Sequence, residues 1–271
     1  MDGNKKSTIP RMESRRLVVG RGNFIHTVSL TRMLHLAFLR SPIAHGNFKG
    51  IDTSEATGMP GVEMVLTAED LYPVMVDIPV TKLDTMPGHV SPAQLPLADG
   101  LVRFQGEPVA LVVAETLYQA EDAVSSISVP FEELAITRDD DTANVVEIGE
   151  DFSDSGDRVK LTASFSFARQ TGVTLEPRGV VASYDPFEDR LEVWISHQSP
   201  QLVQSLFAKM LGMPENRVLV NIGDVGGGFG CKALLQPEEV LAGWLTRKLA
   251  CPIRWIEDRR EHLITGANCR E

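Results

Sequence analysis

The feature that most restricts the fold of this chain is a glycine-rich stretch, "NIGDVGGGFGCK", which runs from Asn221 to Lys232. It follows a short apolar run typical of a strand, "RVLVNIG", and precedes a segment with the features of a helix, "QPEEVLAGWLTRKLA". Glycine has no side chain, so a cluster between a strand and a helix lets main-chain amides approach an anionic or polar group. A tight turn with close strand–helix packing explains the pattern equally well, and both interpretations stay open at this point.

Two nucleotide-binding motifs do not fit the stretch. A Walker loop has Gly directly before its Lys and Ser or Thr directly after it, whereas here Cys231 precedes Lys232 and Ala233 follows it. A dinucleotide fingerprint needs glycines spaced G-x-G-x-x-G, and neither Gly226 nor Gly228 begins such a series. The glycines therefore do not predict a nucleotide site.

Charge and composition exclude several classes of protein. The net charge of −11 over 271 residues argues against binding to nucleic acid or to anionic membrane surfaces. The polar N-terminus shows no apolar core of the kind a signal peptide has, and the apolar runs are too short to span a bilayer. We therefore expect a cytoplasmic protein without membrane insertion. The three cysteines, Cys231, Cys251 and Cys269, fit neither a disulfide framework nor a zinc site, which predicts free thiols.

The hydrophobic pattern indicates two halves. In the first, the continuous apolar run "PVALVVAE" predicts a strand buried on both faces, and "LYQAEDAVSSI" after it has helical periodicity. In the second, the alternation of Leu191, Val193 and Ile195 predicts a half-buried strand, and Ser199 with Pro200 can begin the following helix. This mixture of strands and helices predicts the α+β class.

An acidic segment separates the halves. Thr137–Arg158 carries eight acidic residues and few large apolar ones, as a linker does. We therefore expect a first domain over residues 1–140, an acidic linker over residues 141–158 and the start of a second domain over residues 159–271.

Several long motifs, in this order along the chain, resemble one family. They are "LHLAFLRSPIAHGNFKGIDTSEATGMPGVEMVLTAEDL", "VRFQGEPVALVVAET", "LEPRGVVASYD", "VWISHQSPQL" and "DVGGGFGCK" with "PEEVLAGWLTRKLACPIRWIEDRREHL". They are similar to the large, molybdopterin-binding subunit of the molybdenum hydroxylases, which include xanthine dehydrogenase, aldehyde oxidase and carbon monoxide dehydrogenase. The resemblance implies an α+β fold, in which an a/b hammerhead domain precedes the first part of a molybdenum-cofactor-binding domain.

The resemblance also implies site residues. The backbone at Gly227, Gly228, Phe229 and Gly230 matches the loop that faces the molybdenum centre and its pterin, with Phe229 in an apolar wall. Gln198 in "SHQSP" matches the family glutamine that hydrogen-bonds the apical oxo ligand, and it is the catalytic candidate. The family holds molybdenum through the pterin dithiolene, so no metal-ligating residue is expected in this chain.

Two further positions refine this expectation. Cys231 lies where many members of the family have a small residue, and it is not expected to be a molybdenum ligand. Ala233 lies where xanthine-oxidising members carry a substrate-binding glutamate, which argues against a purine substrate of that kind.

The chain resembles only the N-terminal third of such a subunit, and the family's catalytic glutamate has no counterpart in it. The implied partners are the remaining part of the large subunit, an iron–sulfur subunit with [2Fe–2S] clusters, an FAD subunit and a small-molecule substrate. The implied function is a share in oxidising an aldehyde, an N-heterocycle or a similar molecule with water-derived oxygen. The alternative is a non-catalytic module that binds the cofactor or assists assembly.

Other polar residues suggest structural roles. Glu176 and Arg178 are interpreted as an interior ion pair or turn contact. Arg40 and His45 are expected to serve a turn at Pro42. The run "EDRREH" is interpreted as a solvated or interface face. For His197, packing in the interior and lining of a pocket both stay open.

Overall fold

The computed structural model describes residues 12–71, 78, 94–136, 163–164 and 171–266. The helices are α1 (Ser14–Val18), α2 (Ser54–Thr57), α3 (Ala68–Leu71), α4 (Leu117–Ser126), α5 (Pro200–Leu211), α6 (Pro237–Leu249) and α7 (Arg259–Thr265). The strands are β1 (Leu34–Arg40), β2 (Gly46–Phe48), β3 (Val62–Thr67), β4 (Leu101–Val102), β5 (Pro108–Ala114), β6 (Phe131–Glu133), β7 (Gly179–Asp185), β8 (Arg190–Ile195), β9 (Val218–Asn221) and β10 (Ile253–Ile256).

One seven-stranded sheet contains strands from both halves of the chain. Its order is β3-β5-β1-β10-β7-β8-β9, and a second sheet of three strands has the order β4-β2-β6. In the large sheet β1 pairs in parallel with β10, with Leu34 opposite Ile253, and β8 pairs in parallel with β9. The remaining pairs are antiparallel. The predicted α+β class is confirmed.

The first half is built on β5, whose residues are all buried. Leu111 and Val113 belong to one apolar cluster, whereas Ala110, Val112 and Ala114 belong to another, on the side of helix α4. Successive side chains of a strand point to opposite faces, so the two clusters cover the two faces of β5. The predicted strand buried on both faces is confirmed.

The second half places helices α5 and α6 beside strands β7 to β10. The predicted alternation holds in β8, where Leu191, Val193 and Ile195 are buried. Helix α5 buries Phe207 against α6 at Gly243, where an added Cβ would lie 2.4 Å from the Phe207 ring. The strand β9 and the helix α6 enclose the glycine loop, as the sequence predicts.

One predicted helix cap is wrong in detail. Ser199 occupies the N-cap position of α5, but its side chain makes no capping hydrogen bond. Its backbone N–H donates instead to Nδ1 of His197, at 3.0 Å. The proposed linker lies outside the described residues, and the domain boundaries stay a prediction. None of the described helices is long and apolar enough to cross a membrane.

Candidate functional site

The loop that contains the glycines and the segment around Gln198 meet at one edge of the large sheet. Gln198 follows β8 and the loop follows β9, and these two strands are parallel neighbours, with Trp194 opposite Asn221. The carboxyl ends of parallel strands share an edge, where ligands of α/β sheets commonly bind. The Gln198 backbone N–H donates to the Lys232 carbonyl at 2.9 Å, and the Gly230 N–H donates to Oε1 of Gln198 at 3.2 Å.

Two different geometric constraints require glycine in this loop: a positive φ at some positions and a close side-chain contact at another. Gly227 and Gly230 have φ of 107° and 89°, in the region that side chains disfavour. Gly228 has no such φ, but a Cβ there would lie 2.7 Å from Cδ of Gln198. Phe229 adopts a left-handed conformation with φ of 50°, which is uncommon for a bulky residue. The loop is therefore more constrained than an ordinary turn.

The loop and Gln198 present hydrogen-bond donors without added charge. The amides of Gly227 and Gly228 make no hydrogen bond to the part of the chain that the structure describes. The Oε1 atom of Gln198 accepts from Gly230, so its amide NH2 remains available as a donor. The Phe229 side chain is 69% exposed, so its predicted place in an apolar wall stays a prediction.

A buried ion pair, which the sequence motifs do not predict, lies behind the loop. The Lys232 ammonium group is fully buried and contacts Oε2 of Glu176 at 3.0 Å and Oγ of Ser196 at 2.8 Å. Burial alone would raise the pKa of Glu176, but hydrogen bonds from the Gly226 amide, Ser196, the Ile25 amide and Lys232 outweigh it and hold that pKa below its usual value.

The predicted pairing of Glu176 with Arg178 is wrong, although both residues are interior. Arg178 donates to Oε1 of Glu257 at 2.6 Å and lies 3.6 Å from Glu238, while its guanidinium stacks over Trp255. Glu176 and Arg178 therefore do not pair with each other. Each has an oppositely charged partner that is distant in sequence.

The run "EDRREH" is only partly a solvated face, contrary to the prediction. Glu257 and His262 are buried and lie 2.9 Å apart between Oε2 and Nδ1. Arg40 does not serve a turn at Pro42 but contacts Glu238 at 2.7 Å and Glu261 at 2.8 Å. The contact of Arg40 with Glu238 joins the end of β1 to the first turn of α6, the helix after the glycine loop.

His197, next to Gln198, is buried and packed within the chain. Burial lowers its pKa to about 4, and only part of this effect is offset by backbone contacts at Ser199 and Leu234. His197 is therefore neutral at pH 7, with Nδ1 as the acceptor for Ser199.

This pKa predicts a loss of stability in acid. The pKa of His197 in the folded state is below its unfolded value of about 6.5. The free energy of unfolding is therefore unaffected by His197 above pH 6.5, and it decreases at lower pH because the unfolded chain binds a proton that the folded chain does not. Between pH 6.5 and 4 the free energy of unfolding should fall by about 3 kcal/mol from His197 alone. Urea unfolding at several pH values measures this fall.

The control for this prediction is His197→Asn, whose side-chain oxygen can replace Nδ1 as the acceptor without titrating. The variant should lose less stability between pH 6.5 and 4.5 than the wild type. Equal pH slopes in the two proteins would show that His197 does not control the acid response.

Cys231, at the end of the glycine run, is buried, and its Sγ donates to the Gly172 carbonyl at 3.1 Å. Within the described residues, no group of three or more His, Cys, Asp or Glu side chains could hold a metal ion. Cys231 therefore ties the end of the glycine run to the segment at Gly172, and the expectation that it does not bind molybdenum stays a prediction.

Comparison with known proteins identifies both halves of the chain. Residues 19–135 match the family described as "aldehyde oxidase and xanthine dehydrogenase, a/b hammerhead domain". Residues 138–271 match the family described as "molybdopterin cofactor-binding domain". These matches identify a hammerhead domain followed by a cofactor-binding domain.

Individual relatives agree over nearly the whole chain. The nicotine 6-hydroxylase large subunit of Paenarthrobacter nicotinovorans is 36% identical over 97% of this chain and 34% of its own length. The carbon monoxide dehydrogenase large chain of Hydrogenophaga pseudoflava is 33% identical over 96% of this chain and 36% of its own length. The crystal structure of quinoline 2-oxidoreductase from Pseudomonas putida 86 superposes with a TM-score of 0.82 and 34% identity, over 96% of this chain and 35% of that one.

The chain belongs to the aldehyde oxidase and xanthine dehydrogenase family of molybdenum hydroxylase large subunits. The resemblance inferred from its motifs is therefore confirmed. The chain spans about a third of the length of the two large subunits named above.

Proposed function

We propose that this chain forms one wall of the molybdopterin site in a molybdenum hydroxylase, an oxidoreductase that uses water-derived oxygen. The observation that carries the proposal is the contact of Gln198 with the glycine loop, where the Gly230 amide binds Oε1 at 3.2 Å. This contact places the Gln198 NH2 group beside the amides of Gly227 and Gly228, so neutral donors lie together at one edge of the sheet.

The residues at this edge fit a molybdopterin group. A Cβ at Gly228 would overlap the Gln198 amide, so glycine is needed there for the loop backbone and the Gln198 side chain to lie side by side. Amide donors suit an acceptor-rich group because they bind it without adding charge. Gln198, Gly227, Gly228, Phe229 and Gly230 would hold the group.

Each of these residues has a part in the proposed reaction. When bound, the molybdenum group would supply the redox chemistry of the hydroxylation. Gln198 would donate from its NH2 group, and Gly227 and Gly228 would donate from the main chain, so that the group is oriented by fixed dipoles. Gly230 would act through Gln198, and Phe229 would exclude water once the site is complete.

The proposed substrate is an aldehyde, an N-heterocycle or a similar small molecule. Relatives named for nicotine and quinoline support the N-heterocycle class. Ala233, whose N–H donates to the Gly230 carbonyl at 3.2 Å, offers no carboxylate that could bind a purine. The proposed partners are the remaining part of the large subunit, an iron–sulfur subunit with [2Fe–2S] clusters and an FAD subunit, in the cytoplasm.

The test is purification of the protein with its accompanying subunits, followed by molybdenum and pterin analysis and by assays with aldehydes and N-heterocycles. Gln198→Ala should lower kcat by roughly 5- to 150-fold, as loss of one hydrogen bond of about 1–3 kcal/mol predicts, with molybdenum content nearly unchanged. Gln204→Ala is the matched control. Gln204 lies on α5, and its amide donates to the Val218 carbonyl at the start of β9, at 2.8 Å, without contacting the glycine loop.

The outcomes separate the possibilities. Protein without molybdenum would contradict the proposed function. Bound molybdopterin with no oxidation of any substrate would favour the non-catalytic module. Equal rates in the Gln198 and Gln204 variants would remove the assigned role of Gln198.

A further inference from the structure

The carboxylate of Glu176 is the point at which separate segments of the chain meet the back of the glycine loop. Its Oε1 accepts from the Ile25 amide at 3.0 Å. Its Oε2 accepts from Ser196 at 2.7 Å, from the Gly226 amide at 2.7 Å and from Lys232 at 3.0 Å. Ile25 lies before β1, Ser196 after β8, and the other two lie in the loop.

Glu176 is attached to the loop at two separated positions. At the near end, Gly226 and Glu176 exchange hydrogen bonds, since the Glu176 amide donates to the Gly226 carbonyl at 3.2 Å. A Cβ on Gly226 would lie 2.5 Å from Cβ of Glu176, so only glycine permits this approach. At the far end, Lys232 reaches the same oxygen, so one carboxylate sets the span between residues 226 and 232.

The same attachment sets the position of Gln198. The Lys232 carbonyl accepts the Gln198 amide at 2.9 Å, and Ser196, two residues before Gln198, is bound to both Glu176 and Lys232. Movement of Lys232 would therefore shift the backbone of Gln198 relative to the loop.

We propose that Glu176 is a positioning residue that holds the glycine loop in register with Gln198. The inference rests on the proposed function only for its catalytic consequence, since the contacts themselves lie within this chain. Glu176 is buried and faces the rear of the loop, so it acts through Gly226, Lys232 and Ser196.

The hydrogen bonds at position 176 require a carboxylate. One oxygen accepts three donors, and the buried ammonium group of Lys232 needs a negative partner. A glutamine at position 176 has only one side-chain oxygen that can accept hydrogen bonds. Its NH2 group would take the place of the other oxygen and would lie opposite an N–H or O–H donor, with which it cannot bond. Glu176→Gln therefore changes the bonding while it nearly preserves the shape.

The experiment is hydrogen–deuterium exchange on the protein with its accompanying subunits, for the peptide that covers residues 223–234. In Glu176→Gln this peptide should exchange about tenfold faster or more, because the loop opens locally. Glu107→Gln is the matched control, since Glu107 is also buried and accepts from Arg103, within the hammerhead half. Its loop exchange should equal that of the wild type.

The double variant Glu176→Gln/Lys232→Met separates positioning from charge compensation. It removes the unpaired ammonium group, so thermal stability should recover relative to Glu176→Gln, while the loop should still exchange fast. If the single variant does not fold, the double variant carries the comparison. Wild-type loop exchange in the double variant, or equal acceleration in Glu107→Gln, would overturn the proposal.

A second readout connects the loop to the site. Both Glu176 variants should have a lower kcat and a lower molybdenum content than Glu107→Gln. Exchange is also compared on protein stripped of molybdenum, so that loss of the metal cannot by itself explain a faster-exchanging loop. A wild-type protein without the metal would therefore contradict the proposed function and leave the positioning role of Glu176 to be decided by exchange.

Discussion

Replacing Gly230 with Val should lower kcat by roughly 10²-fold or more, while the iron–sulfur and FAD content of the purified complex stays near normal. Gly230 has φ of 89°, where a β-branched residue is strained by about 1–3 kcal/mol. The residue also donates its backbone N–H to Gln198, so relief of that strain moves the donor. Because Gly230 holds Oε1 of Gln198, this shift also displaces the NH2 donor of Gln198, and one misplaced donor at a reacting centre costs on the order of 10²-fold in rate.

Steady-state rates and molybdenum occupancy measure this effect, with Gly212→Val as the control. Gly212 ends α5 with φ of 62°, and a Cβ there would meet nothing within 4 Å. The control thus imposes backbone strain outside the site. It should lower the melting temperature but not kcat. A similar loss of kcat in both variants would show that general destabilisation causes the effect.

Replacing Gly228 with Val should have a comparably large effect for a different reason. The new Cβ would lie 2.7 Å from Cδ and 2.8 Å from Oε1 of Gln198, so the glutamine must leave its position. The variant loses the Gln198 donor and also narrows the approach to the loop. We therefore expect a loss of kcat on the order of 10²-fold, larger than for Gln198→Ala.

Rates and molybdenum content of Gly228→Val, Gln198→Ala and the control Gly58→Val test this ranking. At Gly58 a Cβ would meet only backbone oxygens, at 3.6 Å or more, and φ is −84°. Full activity in both Gly228→Val and Gly230→Val would mean that the loop is only a packing turn, the simpler interpretation of its sequence.

The hydrophobic pattern of a short segment is enough to predict a strand and its buried face. The run in β5 and the alternation in β8 encode burial directly, because period and face are coupled in a strand. The position of Gln198 beside the loop was different. It followed from the resemblance to a family, and the pairing of β8 with β9 supplies its physical cause.

The charged partners could not be predicted from local sequence. Glu176 bonds to Lys232 across 56 positions, and Arg178 bonds to Glu257 across 79. A charged run such as "EDRREH" is normally solvated, and only the fold reveals that Glu257 and His262 lie inside it. A charged side chain is buried only where an oppositely charged group lies beside it. The sequence alone does not show which residues, far apart along the chain, come together in the fold.

The parallel pairing of β1 with β10 has a consequence for biosynthesis. During synthesis β1 is complete at Arg40, whereas β10, its parallel partner, begins only at Ile253. The edge of β1 that pairs with β10 therefore stays unpaired while more than 200 further residues are synthesised. Unpaired strand edges of partly made chains invite aggregation. We therefore expect nascent chains that stop before β10 to need chaperones, and those that reach Ile256 to be released from them.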